Sequence, residues 1–214
     1  MSGPQVVLIG PMGAGKSTVG RLLADRLGSA FRDTDEDVEQ GAGRSISDIF
    51  LDSGEAEFRA LERAAVAAAV AEHDGVLSLG GGAVLAEESR TLLTGRPVVY
   101  LQVGLAEAVK RVGLGTSRPL LLGNVRSQVK QLLDQRDPIY RAAARWTLQT
   151  DELSPEEVAD RIADLLGSAP PAGAGDGASD GASDGASDGA SDGASDGASD
   201  PVDEPAQEVP GERD

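Results

Sequence analysis

The sequence predicts an α/β protein: a five-stranded parallel sheet flanked by helices. Three observations carry that prediction. Val6-Val7-Leu8-Ile9 is an unbroken apolar run, as a strand buried on both faces requires. Gly10-Pro11-Met12-Gly13-Ala14-Gly15-Lys16-Ser17 follows it at once and matches G-x-x-x-x-G-K-[ST], the phosphate-binding loop. Strand-like and helix-like segments then alternate to the end of the apolar part of the chain, the pattern of parallel sheets with crossover helices.

The chain has 214 residues, but residues 170–214 contain almost no large apolar side chain, and residues 177–200 are six copies of Gly-Ala-Ser-Asp. Such a segment cannot bury enough surface to offset its ordering entropy and is expected to be a disordered tail. Of the net charge of −17, the tail carries −11, which leaves −6 for residues 1–169. Residues 1–169 are of the size of one domain. The acidic balance argues against a nucleic-acid partner. Cysteine is absent, so there is neither a disulfide framework nor thiol chemistry. The start of the chain lacks a signal-peptide pattern, and no apolar run reaches the ~20 residues of a membrane span. A soluble, cytoplasmic, monomeric protein is expected.

The elements follow in order. After the glycine loop, Val19, Leu22, Leu23 and Leu27 recur at helical spacing and Gly28 stops the helix. Ala30–Asp33 is the second strand, delivering Asp33-Thr34-Asp35 to the loop edge. A short helix over Asp37–Gln40 ends at Gly41-Ala42-Gly43. Another begins near Ser45 or Ser47 as cap, and Gly54 separates it from a long helix over Glu55–Glu72 with Phe58, Leu61, Ala65 and Val66 on one face. Gly75–Leu79 is the third strand and ends in Gly80-Gly81-Gly82. Helices are expected over Glu87–Leu93 and Ala106–Val112, with a fourth strand, Pro97–Leu101, between them. Residues 113–123 have the glycine-flanked composition of a mobile lid. Val125–Arg136 is helical until Pro138 interrupts it, and Tyr140–Arg145 adds a turn. Trp146–Thr150 is the fifth strand. Ser154-Pro155-Glu156-Glu157 opens the last helix with a full start signal and Gly167 ends it. His73 is expected to be exposed, and Trp146 to serve packing.

The chemistry follows from residue types. Backbone N–H groups must wrap a polyphosphate, and side chains at Gly13 and Gly15 would block that approach. The helix N-terminus adds its positive dipole end. Lys16 reaches the β- and γ-phosphates and the Ser17 hydroxyl binds Mg²⁺. Asp33 is placed to hold Mg²⁺ through water. Asp35 is placed to accept the proton of an acceptor hydroxyl. Capping of the next helix is the other reading of both acids. The three glycines let backbone N–H groups approach an anionic or hydroxylated substrate, or simply make a tight turn. Arg59 and Arg136 are suited to gripping a carboxylate bidentately; a solvated helix face is their other reading. There is no Asn-Lys-x-Asp guanine-reading motif, and the only asparagine is Asn124. The residues by themselves therefore point to a Mg²⁺-dependent kinase of a small anionic acceptor.

Several pieces occur together and in order: Gly-x-x-Gly-Ala-Gly-Lys-Ser-Thr at 10–18, Asp33-Thr34-Asp35, Gly43-Arg44-Ser45-Ile46 with Asp48-Ile49-Phe50, Gly54-Glu55 with Phe58-Arg59, Gly80-Gly81-Gly82, Arg118-Pro119-Leu120-Leu121, and Arg136-x-Pro-x-Tyr140. This combination resembles the shikimate kinase family over about residues 5–167. The resemblance implies a nucleoside-monophosphate-kinase-like fold with strand order 2-3-1-4-5, and transfer of the ATP γ-phosphoryl group to the 3-hydroxyl of shikimate. It implies that ATP is held by Gly13, Ala14, Gly15, Lys16, Ser17, Thr18, Arg111 and Arg118. Asp35, Arg59, Gly80, Gly81, Gly82 and Arg136 would bind shikimate, Ser17 and Asp33 would serve Mg²⁺, and Lys16, Asp35 and Arg118 would act in catalysis. Leu153 stands where the family often has an arginine near the adenine, and the acidic tail lies outside the family pattern. The other readings are a different small-molecule kinase on this fold, acting on gluconate or a nucleotide, and a nucleotide-binding module without turnover.

Overall fold

The computed structural model describes residues 3–113 and 125–168. The lid sequence with Arg118, and the tail 170–214, lie outside the described residues. The strands are β1 (Val6–Ile9), β2 (Phe31–Asp33), β3 (Val76–Ser78), β4 (Val98–Gln102) and β5 (Trp146–Gln149). They form one parallel sheet in the order β2-β3-β1-β4-β5, as expected. The helices are α1 (Lys16–Leu27), α2 (Thr34–Ala42), α3 (Ile46–Glu72), α4 (Glu87–Leu93), α5 (Leu105–Gly113), α6 (Val125–Ala143) and α7 (Pro155–Ser168).

Alternate side chains of the central strands feed two cores. Val6, Leu8, Val76, Val99 and Leu101 meet Val19 and Leu23 of α1, Ala108 of α5 and Val158, Ala159 and Ile162 of α7. Val7, Ile9, Leu77, Leu79, Val98 and Tyr100 meet Val66, Ala69 and Val70 of α3, Leu93 of α4 and Tyr140 of α6. All four residues of β1 are buried, which explains the uninterrupted apolar run. A third, smaller cluster of Val38, Ile49 and Phe58 joins α2 to α3. Trp146 packs against the first core, and Arg145 covers its ring.

Three expectations need correction. The helix after β2 begins at Thr34, three residues before Asp37, because the Asp33 carboxylate accepts the Asp35 N–H at 3.0 Å and caps it. Asp35 therefore stands in the first turn of α2, not in a loop, and the helix runs on to Ala42 before Gly43 closes it in the left-handed region. Pro138 does not interrupt α6. One backbone bond is lost there, but Ile139, Tyr140 and Ala143 beyond it pack on the second core and hold the helix together. His73 is half-buried rather than exposed, its ring held to the Val76 carbonyl at 3.1 Å. A single 3₁₀ turn, Ala83–Leu85, follows the three glycines and was not anticipated. Gly54 breaks the helical path as expected, at φ 81° and ψ 173°, and Ser45 is the cap of α3.

Candidate active site

The glycine loop forms at the C-terminal end of β1, the usual ligand edge of an open parallel sheet. Gly10 passes so close to β4 that a Cβ would lie 2.6 Å from the Leu101 carbonyl oxygen. Gly13 and Gly15 have φ of 82° and 91°, which a side chain would strain. Gly15 is the N-cap of α1, and no side chain caps that end. The first N–H groups of α1 thus face the loop's hollow, as an anion requires. Ala14 is buried. The Lys16 ammonium lies along the loop and donates to the carbonyl oxygens of Gly10 at 2.9 Å and Pro11 at 3.1 Å. Thr18 is in the first turn of α1.

The Ser17 hydroxyl donates to Asp33 at 2.7 Å. Asp33 is buried; one of its oxygens accepts from the Ser17 hydroxyl and the other caps α2, so the capping reading of this acid holds. Register places Ser78 beside both Leu8 and Asp33, on the sheet face that carries α1. The Ser78 hydroxyl is buried and has no hydrogen-bond partner among the described residues. No group of three or more His, Cys, Asp or Glu side chains that could hold a metal ion is found among the described residues. Among the described residues Ser17 and Asp33 are the oxygen ligands at hand for a divalent ion, which would draw the rest of its shell from phosphate oxygens and water, the manner of Mg²⁺.

The three glycines are the meeting point. The Gly80 N–H donates to the Thr34 hydroxyl at 3.0 Å, tying the turn after β3 to the start of α2. A Cβ on Gly80 would collide with the Asp35 carboxylate and lie 3.0 Å from Glu62 Oε1. A Cβ on Gly82 would collide with the Arg59 guanidinium. Gly81 lies against the phosphate loop, its Cβ position 3.4 Å from the Met12 nitrogen, and its carbonyl accepts from Arg136 Nη1 at 3.3 Å and from the Tyr140 hydroxyl. Asp35, Arg59, Arg136 and the glycine turn therefore converge at one place beside the loop that carries Lys16.

Two residues of this place escape a reading of the sequence. Glu62 is buried at 3% exposure and binds Arg59 at 2.7 Å, while Glu55 holds the same guanidinium from the other side at 3.2 Å. Glu62 stands four residues after Phe58 and four before Val66, on the buried stripe of α3, and that position was the available signal. Thr34 is fully buried and matters only once β2 and β3 are neighbours. Burial works against the charge of Arg59, but Glu62 and Glu55 outweigh it and its pKa is raised.

Arg111 sits on the other side of the loop. Its guanidinium donates to the Gly13 carbonyl at 3.3 Å and the Thr150 carbonyl at 3.4 Å, and Glu107 stands 3.5 Å away. It spans from the glycine loop to the end of β5. Leu153 packs partly buried against the first core.

The family model for shikimate kinase matches residues 12–167. The chain belongs to the shikimate kinase family. A shikimate kinase of Saccharopolyspora erythraea is 60% identical over 162 residues, 75% of this chain and 93% of that protein. One from Salinispora arenicola is 59% identical over 165 residues, 77% of this chain and 99% of that protein. The solved shikimate kinase from Acinetobacter baumannii in complex with shikimate is 36% identical, with a TM-score of 0.73 over 77% of this chain and 92% of that one. A gluconokinase from Sinorhizobium meliloti, 20% identical with a TM-score of 0.50, shares the fold alone. The family match thus spans the segments that build the site, from the glycine loop to α6, and ends inside α7.

Proposed function

We propose that this chain transfers the γ-phosphoryl group of ATP to the 3-hydroxyl of shikimate, giving shikimate 3-phosphate and ADP on the way to chorismate and the aromatic amino acids. The convergence of Asp35, Arg59 and Arg136 on the glycine turn that touches the phosphate loop carries this reading. It gives a carboxylated ring alcohol two guanidinium groups for its acid and a carboxylate for its hydroxyl, next to the terminal phosphate.

The loop N–H groups from Gly13 to Thr18 and the α1 dipole hold the phosphates, and Lys16 neutralises the charge that spreads over the transferring group. Arg111 lies against the nucleotide on the far side of the loop. Asp35 fixes the acceptor hydroxyl and takes its proton as the oxygen bonds to phosphorus and the bond to ADP breaks. Arg59, held by Glu62 and Glu55, and Arg136 grip the shikimate carboxylate, and Gly80, Gly81 and Gly82 leave room for the ring. Mg²⁺ fits Ser17 and Asp33, with the unpartnered Ser78 hydroxyl available to one of its waters. When bound it offsets charge on the β- and γ-phosphates. Arg118, in the lid sequence, supplies a further cation to the phosphoryl group.

The reading extends to a monomeric, cytoplasmic enzyme with small-molecule partners and no nucleic acid, and to a catalytic unit of residues 1–169 independent of the tail. Its support is the net charge, the end of the family match at residue 167, and the lack, among the described residues, of a helix long and apolar enough to cross a membrane. The test is ADP release from ATP and Mg²⁺ with shikimate, gluconate and nucleoside monophosphates as acceptors. Release that depends on shikimate alone, and is equal in a chain ending at residue 169, is expected. Release driven by gluconate instead, or ATP binding without turnover, overturns the reading.

A further inference from the structure

The β2–β3 ladder stops one rung short of the acceptor pocket, and a side chain supplies the missing rung. Val76 donates its N–H to the Ala30 carbonyl at 2.9 Å, and the pairing runs on to Asp33 beside Ser78. Successive N–H groups of a strand inside a parallel sheet serve its two neighbours in turn. Leu79 accordingly donates to Leu8 of β1 at 3.0 Å, and the Gly80 N–H faces the β2 side. A longer β2 would meet that N–H with the carbonyl of residue 34, two steps of two residues beyond Ala30. It cannot, because α2 begins at Thr34 and turns that carbonyl along the helix. The Thr34 hydroxyl takes its place and accepts the Gly80 N–H at 3.0 Å. Thr34 and Gly80 are both buried, so bulk water does not stand in for this bond.

The bond joins two halves of the site. Asp35, the next residue along, places its carboxylate where a Gly80 side chain would be. Arg136 donates to the Gly81 carbonyl, and the Arg59 guanidinium fills the space beside Gly82. The group assigned to the acceptor hydroxyl therefore stands on α2, and the groups assigned to the acceptor carboxylate lie against the turn after β3. Asp33 caps α2 but ties it to the phosphate loop through Ser17, not to the glycine turn.

We propose that Thr34 is a positioning residue whose bond to Gly80 sets the spacing between Asp35 and the glycine turn, so that one acceptor molecule is held by both at once. This rests on the reading of Asp35, Arg59 and Arg136 as the acceptor's ligands. Thr34 acts through Gly80 and through its neighbour Asp35. Without the bond, α2 and the turn are free to shift apart, and a displacement of about 1 Å is enough to cost most of the rate.

Thr34→Val keeps the shape of the side chain and removes the acceptor. The expected result is a kcat/KM for shikimate, at saturating ATP, lowered about tenfold or more, with the ATP Kd by titration calorimetry within about twofold of the parent. Thr34→Ser restores the oxygen and should return kcat/KM to within about twofold of the parent. The melting temperature falls in Thr34→Val under a positioning role and under a purely structural one, so the kinetics decide: a structural role leaves the folded protein's kcat/KM unchanged. A folded Thr34→Val with the parent's kcat/KM, a loss shared equally by ATP binding, or a loss that Thr34→Ser does not repair overturns the proposal. Should Thr34→Val not fold, Thr34→Cys carries the test, since a thiol is a weak acceptor. A selective fall in its shikimate kcat/KM supports the proposal, and an unchanged or unselective value overturns it. If Asp35→Asn leaves turnover at the parent's level, the underlying reading of the site has failed instead.

Discussion

The phosphate loop takes its shape from eight consecutive residues, whereas the acceptor pocket is assembled from four segments spread between Asp33 and Tyr140. In the loop the working groups are backbone N–H, and glycines at φ 82° and 91° are what the geometry demands. In the pocket the working groups are side chains, and each is held by another: Arg59 by Glu62 and Glu55, Arg136 by Gly81, Gly80 by Thr34. The loop can therefore be built once and serve many acceptors. The glycine turn and the side chains around it have to be specified residue by residue, because each is fixed by a partner distant in sequence.

The largest effects should come from the residues proposed to act on the reacting atoms. Lys16→Ala and Asp35→Asn are each expected to cut kcat by about 10²–10⁴-fold with the circular dichroism spectrum unchanged. They should differ in a way that separates the two regions: Lys16→Ala weakens ATP as well, while Asp35→Asn leaves the ATP KM alone. Equal effects on both substrates would show that the two regions are not independent. Next in size is Arg136→Lys. A point charge in place of the fork should raise the shikimate KM about 10–100-fold, measured at saturating ATP, with kcat changed far less.

The same contrast explains what was legible in the sequence. The strand-loop-helix of residues 6–27 could be read because pattern and function lie in one contiguous stretch. Asp33 could be read because it ends a strand; one of its oxygens caps α2, and the other takes the Ser17 hydroxyl of the glycine loop. Thr34 could not be read, since its partner Gly80 is 46 residues away and becomes a neighbour only when β2 and β3 pair. Glu62 was hidden because a glutamate in an Ala-rich helix looks solvated. Only its place between Phe58 and Val66 shows that it is buried. Pro138 misled for the opposite reason: local backbone chemistry argues for a break, and tertiary packing of Tyr140 and Ile139 overrides it.

Glycine substitutions sharpen the comparison at a smaller scale. Gly15→Ala puts a side chain at φ 91° in the loop and should lower stability by about 1 kcal/mol or more while weakening ATP. Gly82 sits at φ −104°, where alanine is unstrained. The nearest atoms to its added methyl are those at the end of the Arg59 side chain, which can shift. Gly82→Ala should therefore keep its melting temperature and raise the shikimate KM several-fold, because Arg59 no longer lies where the carboxylate needs it. Paired thermal melts and KM values for the two variants check this; a destabilised Gly82→Ala would mean that the turn, and not Arg59, is what the glycine protects.

The smallest effect is expected behind the pocket, at Asp137. Burial disfavours its charge, but hydrogen bonds from Arg141 and Tyr100 outweigh burial and hold its carboxyl below the ordinary 3.8. A carboxyl with a depressed folded-state pKa stabilises the fold above its unfolded value, and that contribution fades as pH falls through the folded value. Asp137 is 31% exposed and Arg141 is 50% exposed, so solvent screening limits the contribution to about 1 kcal/mol or less. Asp137→Asn should accordingly be slightly less stable than the parent in urea at pH 7, and the gap should close below about pH 4. The gap should also narrow in high salt, since the partner guanidinium faces solvent. A gap that persists unchanged in acid would show that Asp137 acts through its shape and neutral hydrogen bonds, and that the anchoring of Tyr100 does not depend on charge.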